Sequence, residues 1–181
     1  MRRVELEATV RGEKAREVFD ALLAWERYPE LAPHVRATTV HRSVPGEGGS
    51  SSWELYFRSG LLSWSEEEFF DPGALRIRFE QTYGDFDEFR GTWQLRQDAD
   101  DVRVRFDAEF DFGIPSMEGI LDPIAERVIK ETVAWAVTGL FPDVTHQERL
   151  TPRTPPGKSV SPVVSATAED TDEHAENTPE G

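Results

Sequence analysis

The sequence contains no cysteine among its 181 residues, which excludes disulfide bonds and thiolate zinc sites. Basic residues are scarce: 20 Lys and Arg stand against 35 Asp and Glu, giving a net charge of -15. Nucleic acids and anionic membrane surfaces are bound mainly through Lys and Arg, so we expect neither as a partner. Long apolar runs are also missing, and none approaches the ~18 residues that a membrane-spanning helix needs.

Several functional motifs are absent as well. The four histidines, His34, His41, His146 and His174, show no metal-ligand spacing, so no metal site is expected. The chain has neither a Gly-rich phosphate loop nor a nucleophile elbow, and we predict that it uses no cofactor. The N-terminal arginines are not followed by the apolar core of a secretory signal, which predicts a cytoplasmic protein.

Aromatic residues stop at Phe141, and this change in composition divides the chain. Residues 142–181 are rich in Pro, Ser, Thr, Asp and Glu, and such a segment cannot bury enough apolar surface to offset its ordering entropy. We therefore predict a folded domain over residues 1–141 and a disordered tail over residues 142–181. A tail that docks on a partner is the alternative interpretation.

Within the domain, apolar residues recur with two different periods. Alternation over residues 4–10, and over about six segments between residues 35 and 112, predicts antiparallel strands with one buried face. Helical spacing predicts a helix over residues 15–23, and Pro29 favours a second, short helix after it. A long C-terminal helix is expected to begin at Asp122 and Pro123.

Three stretches resemble the START-like superfamily, specifically its polyketide cyclase/dehydrase and coenzyme Q-binding-like branch. They are residues 26–31 (ERYPEL), residues 89–95 (FRGTWQL), and residues 103–112 with the helix that follows. The resemblance spans residues 3–140. It implies an α+β helix-grip fold, in which a curved antiparallel sheet wraps around the long C-terminal helix and two short helices follow the first strand. It also implies a deep cavity between sheet and helix.

The alternating strands place three tryptophans on the inner face, Trp53, Trp64 and Trp93. They either pack in the core or form an aromatic wall around a planar ligand. The predicted ligand-binding residues are Tyr28, Trp53, Phe57, Trp64, Phe79, Trp93 and Phe106.

Two acidic residues share the phase of Trp64 and Phe70, so Glu66 and Glu68 are expected to point inward with them. Burial and mutual repulsion would raise their pKa values and suit them to acid and base catalysis. A bulge that turns both into water is the alternative. His34, near the expected cavity mouth, is the third candidate catalytic residue, through proton transfer, although a lone His is usually a surface or capping residue.

Relatives in this superfamily bind quinones or lipids, or guide the cyclisation of poly-β-ketone chains; a ribosome-associated branch does not fit the negative charge. We expect a polyketide cyclase/dehydrase-like protein that binds an apolar small molecule and promotes its cyclisation or aromatisation. Related aromatase/cyclases carry an arginine near position 68, where this sequence has Glu68, so their mechanism does not transfer directly. A carrier of a quinone, lipid or pigment is the alternative, and an interaction module using the acidic tail is the third. An acyl carrier protein, a polyketide synthase and a second copy of the chain are candidate partners.

Overall fold

The computed structural model describes residues 1–147. The helices are α1 (Ala15–Leu22), α2 (Tyr28–Leu31) and α3 (Glu118–Leu140), with 3-10 turns at Trp25–Arg27 and Pro115–Met117. The strands are β1 (Arg2–Arg11), β2 (Val35–Val44), β3 (Gly48–Phe57), β4 (Gly60–Asp71), β5 (Arg76–Gly84), β6 (Glu88–Asp98), β7 (Asp101–Asp111) and β8 (Val144–His146).

All of these strands join one antiparallel sheet, in the order β2-β3-β4-β5-β6-β7-β1-β8. Strands β2 to β7 pair with their neighbours in the chain, and β1 returns to pair with β7 over its full length. The long helix α3 packs against the sheet, with its main sheet contact on β1. The predicted α+β helix-grip fold is confirmed.

Alternation of side chains separates the two faces of the sheet. Val4 and Val10 of β1 are fully buried, whereas Glu5 and Glu7 between them are exposed. Successive side chains of a strand point to opposite faces, so each strand contributes one apolar row to the core. Each large apolar side chain buried in this way contributes about 1.5–3 kcal/mol.

A glycine allows the core to close over the middle of β6. A Cβ atom at Gly91 would lie 2.6 Å from Cζ of Phe79 and 2.7 Å from Cβ of Ala108. Real Cβ atoms do not approach other carbons so closely, because repulsion is steep at that distance. The ring of Phe79 therefore occupies the place that a side chain at position 91 would need.

The predicted start of the long helix is wrong. Helix α3 begins at Glu118, directly after a 3-10 turn, and Pro123 lies inside it. The Asp122–Pro123 pair is typical of a helix start, but Pro123 lies inside the helix, where it removes the hydrogen bond to the carbonyl of residue 119 and its ring crowds that carbonyl. No helix within residues 1–147 is long and apolar enough to cross a membrane.

The residues that follow Phe141 extend the sheet. Strand β8, Val144–His146, pairs antiparallel with residues 8–10 of β1, so regular structure continues beyond the predicted boundary at residue 141. Composition did not reveal this strand because backbone pairing along a sheet edge needs few apolar side chains. Residues 148–181 lie outside the described residues, and the disordered tail stays a prediction there.

Candidate functional site

A small internal cavity lies between the sheet and α3, with a volume of about 50 Å³. Seven of its lining residues were predicted as site residues: Tyr28, Trp53, Trp64, Glu66, Phe79, Trp93 and Phe106. Six were not: Trp25, Leu55, Phe89, Ile129, Thr132 and Val133. The three from α3 were missed because the sequence does not show which part of a helical face meets a cavity rather than a strand. Phe89 shares the inward phase of β6, a signal that could have identified it.

The cavity is much smaller than the deep one expected from the family resemblance. Typical ligand sites measure roughly 300–1,000 Å³, so this space holds only a few non-hydrogen atoms. The reason is the size of the side chains that fill it. The rings of Trp53 and Trp64 stack 5.9 Å apart and nearly parallel, at 3°, and Tyr28 meets Trp53 edge-on at 5.3 Å.

A larger groove, of about 910 Å³, lies on the outer face of the sheet. Its arginines are largely neutralised by neighbouring carboxylates, as in the Arg3–Asp107 and Arg90–Glu109 pairs, both at 2.6 Å. These side chains are solvated, and exposed ion pairs of this kind are weak interactions. The inner cavity is the better candidate because its lining is almost wholly apolar and holds a perturbed carboxyl group.

Glu66 is that carboxyl group, and it is only 6% exposed. Its Oε2 accepts a hydrogen bond of 3.0 Å from the indole Nε1 of Trp64. Burial, reinforced by the negative charge of Glu68, raises the pKa of Glu66 to about 8. The side chain is therefore mostly protonated at neutral pH and can act as an acid toward whatever occupies the cavity.

Glu68 lies behind Glu66, away from the cavity lining, and is 1% exposed. Its Oε1 accepts a hydrogen bond from the hydroxyl of Ser51, whose oxygen in turn accepts one of 2.9 Å from the indole Nε1 of Trp53. Burial raises the pKa of Glu68, and the Ser51 hydrogen bond opposes that shift. Among the described residues, Oε2 of Glu68 is buried without a hydrogen-bond partner.

The structure thus decides between the two orientations that the sequence left open. A register irregularity does occur between Ser65 and Glu66 in the pairing of β4 with β5. On the other side, however, β4 pairs with β3 without interruption, and the alternation of inward and outward residues is preserved. Both Glu66 and Glu68 therefore remain on the inner face.

His34 and Phe57 are not among the cavity-lining residues. The Nε2 of His34 lies 3.0 Å from Oε2 of Glu131, a glutamate of α3 that is 2% exposed. The other oxygen of Glu131 accepts a 2.5 Å hydrogen bond from Arg127. Burial lowers the pKa of His34. His34 thus connects the α2–β2 junction to α3, while Phe57 packs near Phe112 with ring centroids 6.1 Å apart.

Charge in the cavity is confined to one group. No Lys, Arg or His lines it within residues 1–147, and its titratable residues are Glu66 and Tyr28. The Tyr28 hydroxyl donates to the backbone carbonyl of Leu22 over 2.8 Å, and burial raises its pKa well above the ordinary value. An anionic ligand would find no cation in this space, whereas a neutral carbonyl group would find one acid.

Residues 13–136 match a protein-family model described as polyketide cyclase / dehydrase and lipid transport. No curated protein matches the sequence. Among solved structures, TTHA0849 from Thermus thermophilus is 25% identical, with 76% of this chain and 93% of that one covered and a TM-score of 0.68.

Two further structures share the fold at lower sequence identity. The Zhui aromatase/cyclase from Streptomyces sp. R1128 is 15% identical over 77% of this chain and 93% of its own, with a TM-score of 0.66. A START superfamily protein from Mycobacterium smegmatis is 15% identical over 77% of this chain and 94% of its own, with a TM-score of 0.61.

Proposed function

Because the chain belongs to the polyketide cyclase / dehydrase and lipid transport family, we propose that it binds an apolar small molecule bearing ketone groups and promotes its cyclisation and dehydration. One observation carries this proposal. Glu66 is a buried carboxylic acid whose pKa lies above neutrality, and it lines an aromatic cavity. A protonated acid in an apolar site can donate to a carbonyl oxygen without competition from water.

In ring closure, the enol form of one ketone attacks the carbonyl carbon of another. Glu66 gives its proton to the carbonyl oxygen that becomes a hydroxyl group, and a carbon–carbon bond forms. The attacking enol becomes a ketone and releases its hydroxyl proton, which restores the carboxylic acid. General acid catalysis of this kind contributes roughly 10²–10⁴-fold.

Dehydration can use the same group. Glu66 protonates the hydroxyl group, which leaves as water, and the resulting carboxylate takes the proton from the adjacent carbon as the double bond forms. The remaining catalysis would come from holding the chain in a folded conformation against the aromatic wall of Trp53, Trp64 and Trp93.

The size of the cavity constrains how a ligand enters. The volume of a polyketone chain exceeds that of the cavity, which is about 50 Å³. Binding therefore requires aromatic side chains to move. Trp25 and Tyr28 belong to the short helical segments that cover one side of the cavity. We infer that this cover shifts when ligand binds, because short helical segments reorganise more easily than a paired sheet.

The partners and setting belong to the same proposal. Delivery of the chain by an acyl carrier protein or polyketide synthase, a homodimeric state and a cytoplasmic location are all consistent with an aromatase role in polyketide biosynthesis. They follow from the family and not from any contact in the structure.

A non-catalytic carrier of a quinone, lipid or pigment is the second candidate. It is favoured by the scarcity of polar groups in the cavity, because a carrier needs shape and apolar contact but no proton donor. A carrier would tolerate the loss of the Glu66 proton, whereas an enzyme would not.

Replacement of Glu66 by Gln separates the two functions. With a linear poly-β-ketone thioester as substrate, and ring formation followed by ultraviolet absorbance, we expect E66Q to lose about 10²–10⁴-fold in turnover. Quenching of tryptophan fluorescence by a naphthoquinone probe should be retained in E66Q and lost in W93A. The control is E67Q, because Glu67 is half-exposed and pairs with Arg42. Full activity in E66Q would exclude the acid mechanism, and no saturable quenching in the wild type would exclude both functions.

A further inference from the structure

The two inward carboxyl groups of β4 form a pair without a buried cation. Glu66 and Glu68 are two residues apart on one face of the strand, which sets their Cα atoms about 6.6 Å apart. Arg42 of β2 opposes the rise in the pKa of Glu68, but its guanidinium is half-exposed and bound to Glu67. Two buried carboxylates cannot both be ionised under these conditions, because burial and like charge both oppose it.

The hydrogen bonds indicate which carboxyl group carries the negative charge. An indole N–H only donates, so the Trp53 N–H donates to the Ser51 oxygen, and the hydroxyl group of Ser51 in turn donates its proton to Oε1 of Glu68. Burial raises the pKa of both carboxyl groups, and the side-chain hydrogen bond between them raises the pKa of Glu66 further while it opposes the rise in the pKa of Glu68. The shared proton is therefore favoured on Glu66, the member of the pair that lines the cavity.

We propose that Glu68 is a positioning residue: it holds the negative charge of a one-proton pair so that the proton stays on Glu66, and Ser51 fixes it in that state. This inference rests on the proposed acid role of Glu66. It also connects ligand binding to the protonation of Glu66, because Trp53 both lines the cavity and donates a hydrogen bond to Ser51. A ligand that displaces the Trp53 ring therefore disturbs the hydrogen bond that stabilises the charge on Glu68.

The groups that face the pair from neighbouring elements do not replace Glu68 in this role. Tyr28 of α2 feels the charge of Glu66, but its pKa is well above the ordinary value and it stays neutral. Helix α3 contributes only Ile129, Thr132 and Val133 to the cavity, none of them titratable. Within the described residues, Glu68 is thus the anionic neighbour of Glu66.

The test is a pH titration of the glutamate side-chain carboxyl carbons, followed by NMR in the full-length protein. Glu66 is assigned by its disappearance in E66Q. In E68Q the titration midpoint of Glu66 should fall by about one to two pH units, because a unit negative charge at this separation has been removed. The alkaline limb of the activity profile should fall by the same amount. In the control E67Q, both should shift far less, because the Glu67 side chain is half-exposed and its charge is screened by solvent.

Ser51→Ala provides a second variant, which removes one oxygen atom and keeps the strand packing. It should raise the Glu68 midpoint and lower that of Glu66, because Glu68 then competes better for the shared proton. An unchanged or raised Glu66 midpoint in E68Q would overturn the positioning role while leaving Glu66 as the acid. A Glu66 that titrates as an ordinary glutamate in the wild type would instead overturn the proposed function itself.

Discussion

Replacing Glu66 by Gln should make the folded protein more stable at alkaline pH, although the residue lies in the candidate active site. Glutamine has almost the same shape and can still accept the hydrogen bond from Trp64. It carries no charge at any pH, so the desolvation penalty that an ionised Glu66 meets in the cavity wall is removed.

The size of the effect follows from proton linkage. Glu66 has a pKa of about 8 in the folded protein against an ordinary value of 4.5. Between these values the folded state binds a proton that the unfolded state has lost, so the free energy of unfolding falls as pH rises. At about 1.4 kcal/mol per pH unit, the penalty above about pH 8 has an upper limit on the order of 5 kcal/mol. Relaxation of the site and the coupling to Glu68 reduce this value.

The assay is urea unfolding of the wild type, E66Q and E67Q at several pH values. Near pH 5 wild type and E66Q should differ by less than about 1 kcal/mol, and near pH 9 E66Q should be more stable by about 2 kcal/mol or more. The E67Q variant should follow the wild type at every pH. A difference between wild type and E66Q that does not change with pH would refute the reasoning, because it would mean that Glu66 titrates alike in both states.

Three further pairs of variants test the fold around the site. In thermal unfolding, G91A should destabilise the protein by about 1–3 kcal/mol and displace the Phe79 ring, because the added Cβ overlaps it. Its control is G119A, which should be neutral or stabilising because a Cβ there meets nothing within 4 Å outside its own helix. E131Q should cost about 2 kcal/mol in the same measurement, since His34 and Arg127 lose a buried anionic acceptor; E126Q, which breaks a partly exposed pair with Arg2, should cost less than about 1 kcal/mol. Truncation after Gln147 should leave the Tm nearly unchanged, whereas truncation after Phe141 removes β8 and should lower it by about 5 °C or more; equal Tm values would show that β8 does not stabilise the sheet.

The sequence predicted the sheet well because the information lies in a local pattern. Alternation along β4 indicated an inward orientation for Glu66 and Glu68 but left a bulge open as the alternative, and the structure shows both residues on the inner face. The pattern could not show the partners of these groups. Ser51 meets Glu68 only because β3 and β4 pair in one register, and that register depends on contacts along the whole hairpin.

Helix α3 shows the limit of the same approach. Its apolar residues predicted a face toward the sheet, but Glu131 lies among them and is as buried as its neighbours. A glutamate in a helix is normally placed on the solvated side. Its burial depends on His34, 97 residues away in the chain, and no local pattern contains that contact. His34 was expected at the cavity mouth for the same reason: its neighbours in sequence do not reveal its partner in space.

The three buried glutamates differ in the partners that compensate the cost of burying a carboxyl group. Glu131 is compensated by Arg127 and His34, and Glu68 by the hydroxyl of Ser51. Glu66 accepts a hydrogen bond from the indole of Trp64, and no cation lies among the groups that shift its pKa, although a neutral side chain of the same shape would remove the penalty of ionisation. Residues that lower stability in this way are typical of sites where activity requires a particular group. Glu66 is thus a buried carboxyl group with a raised pKa in direct contact with the cavity, and this coincidence favours an acid that acts on a ligand over a residue that only fills the core.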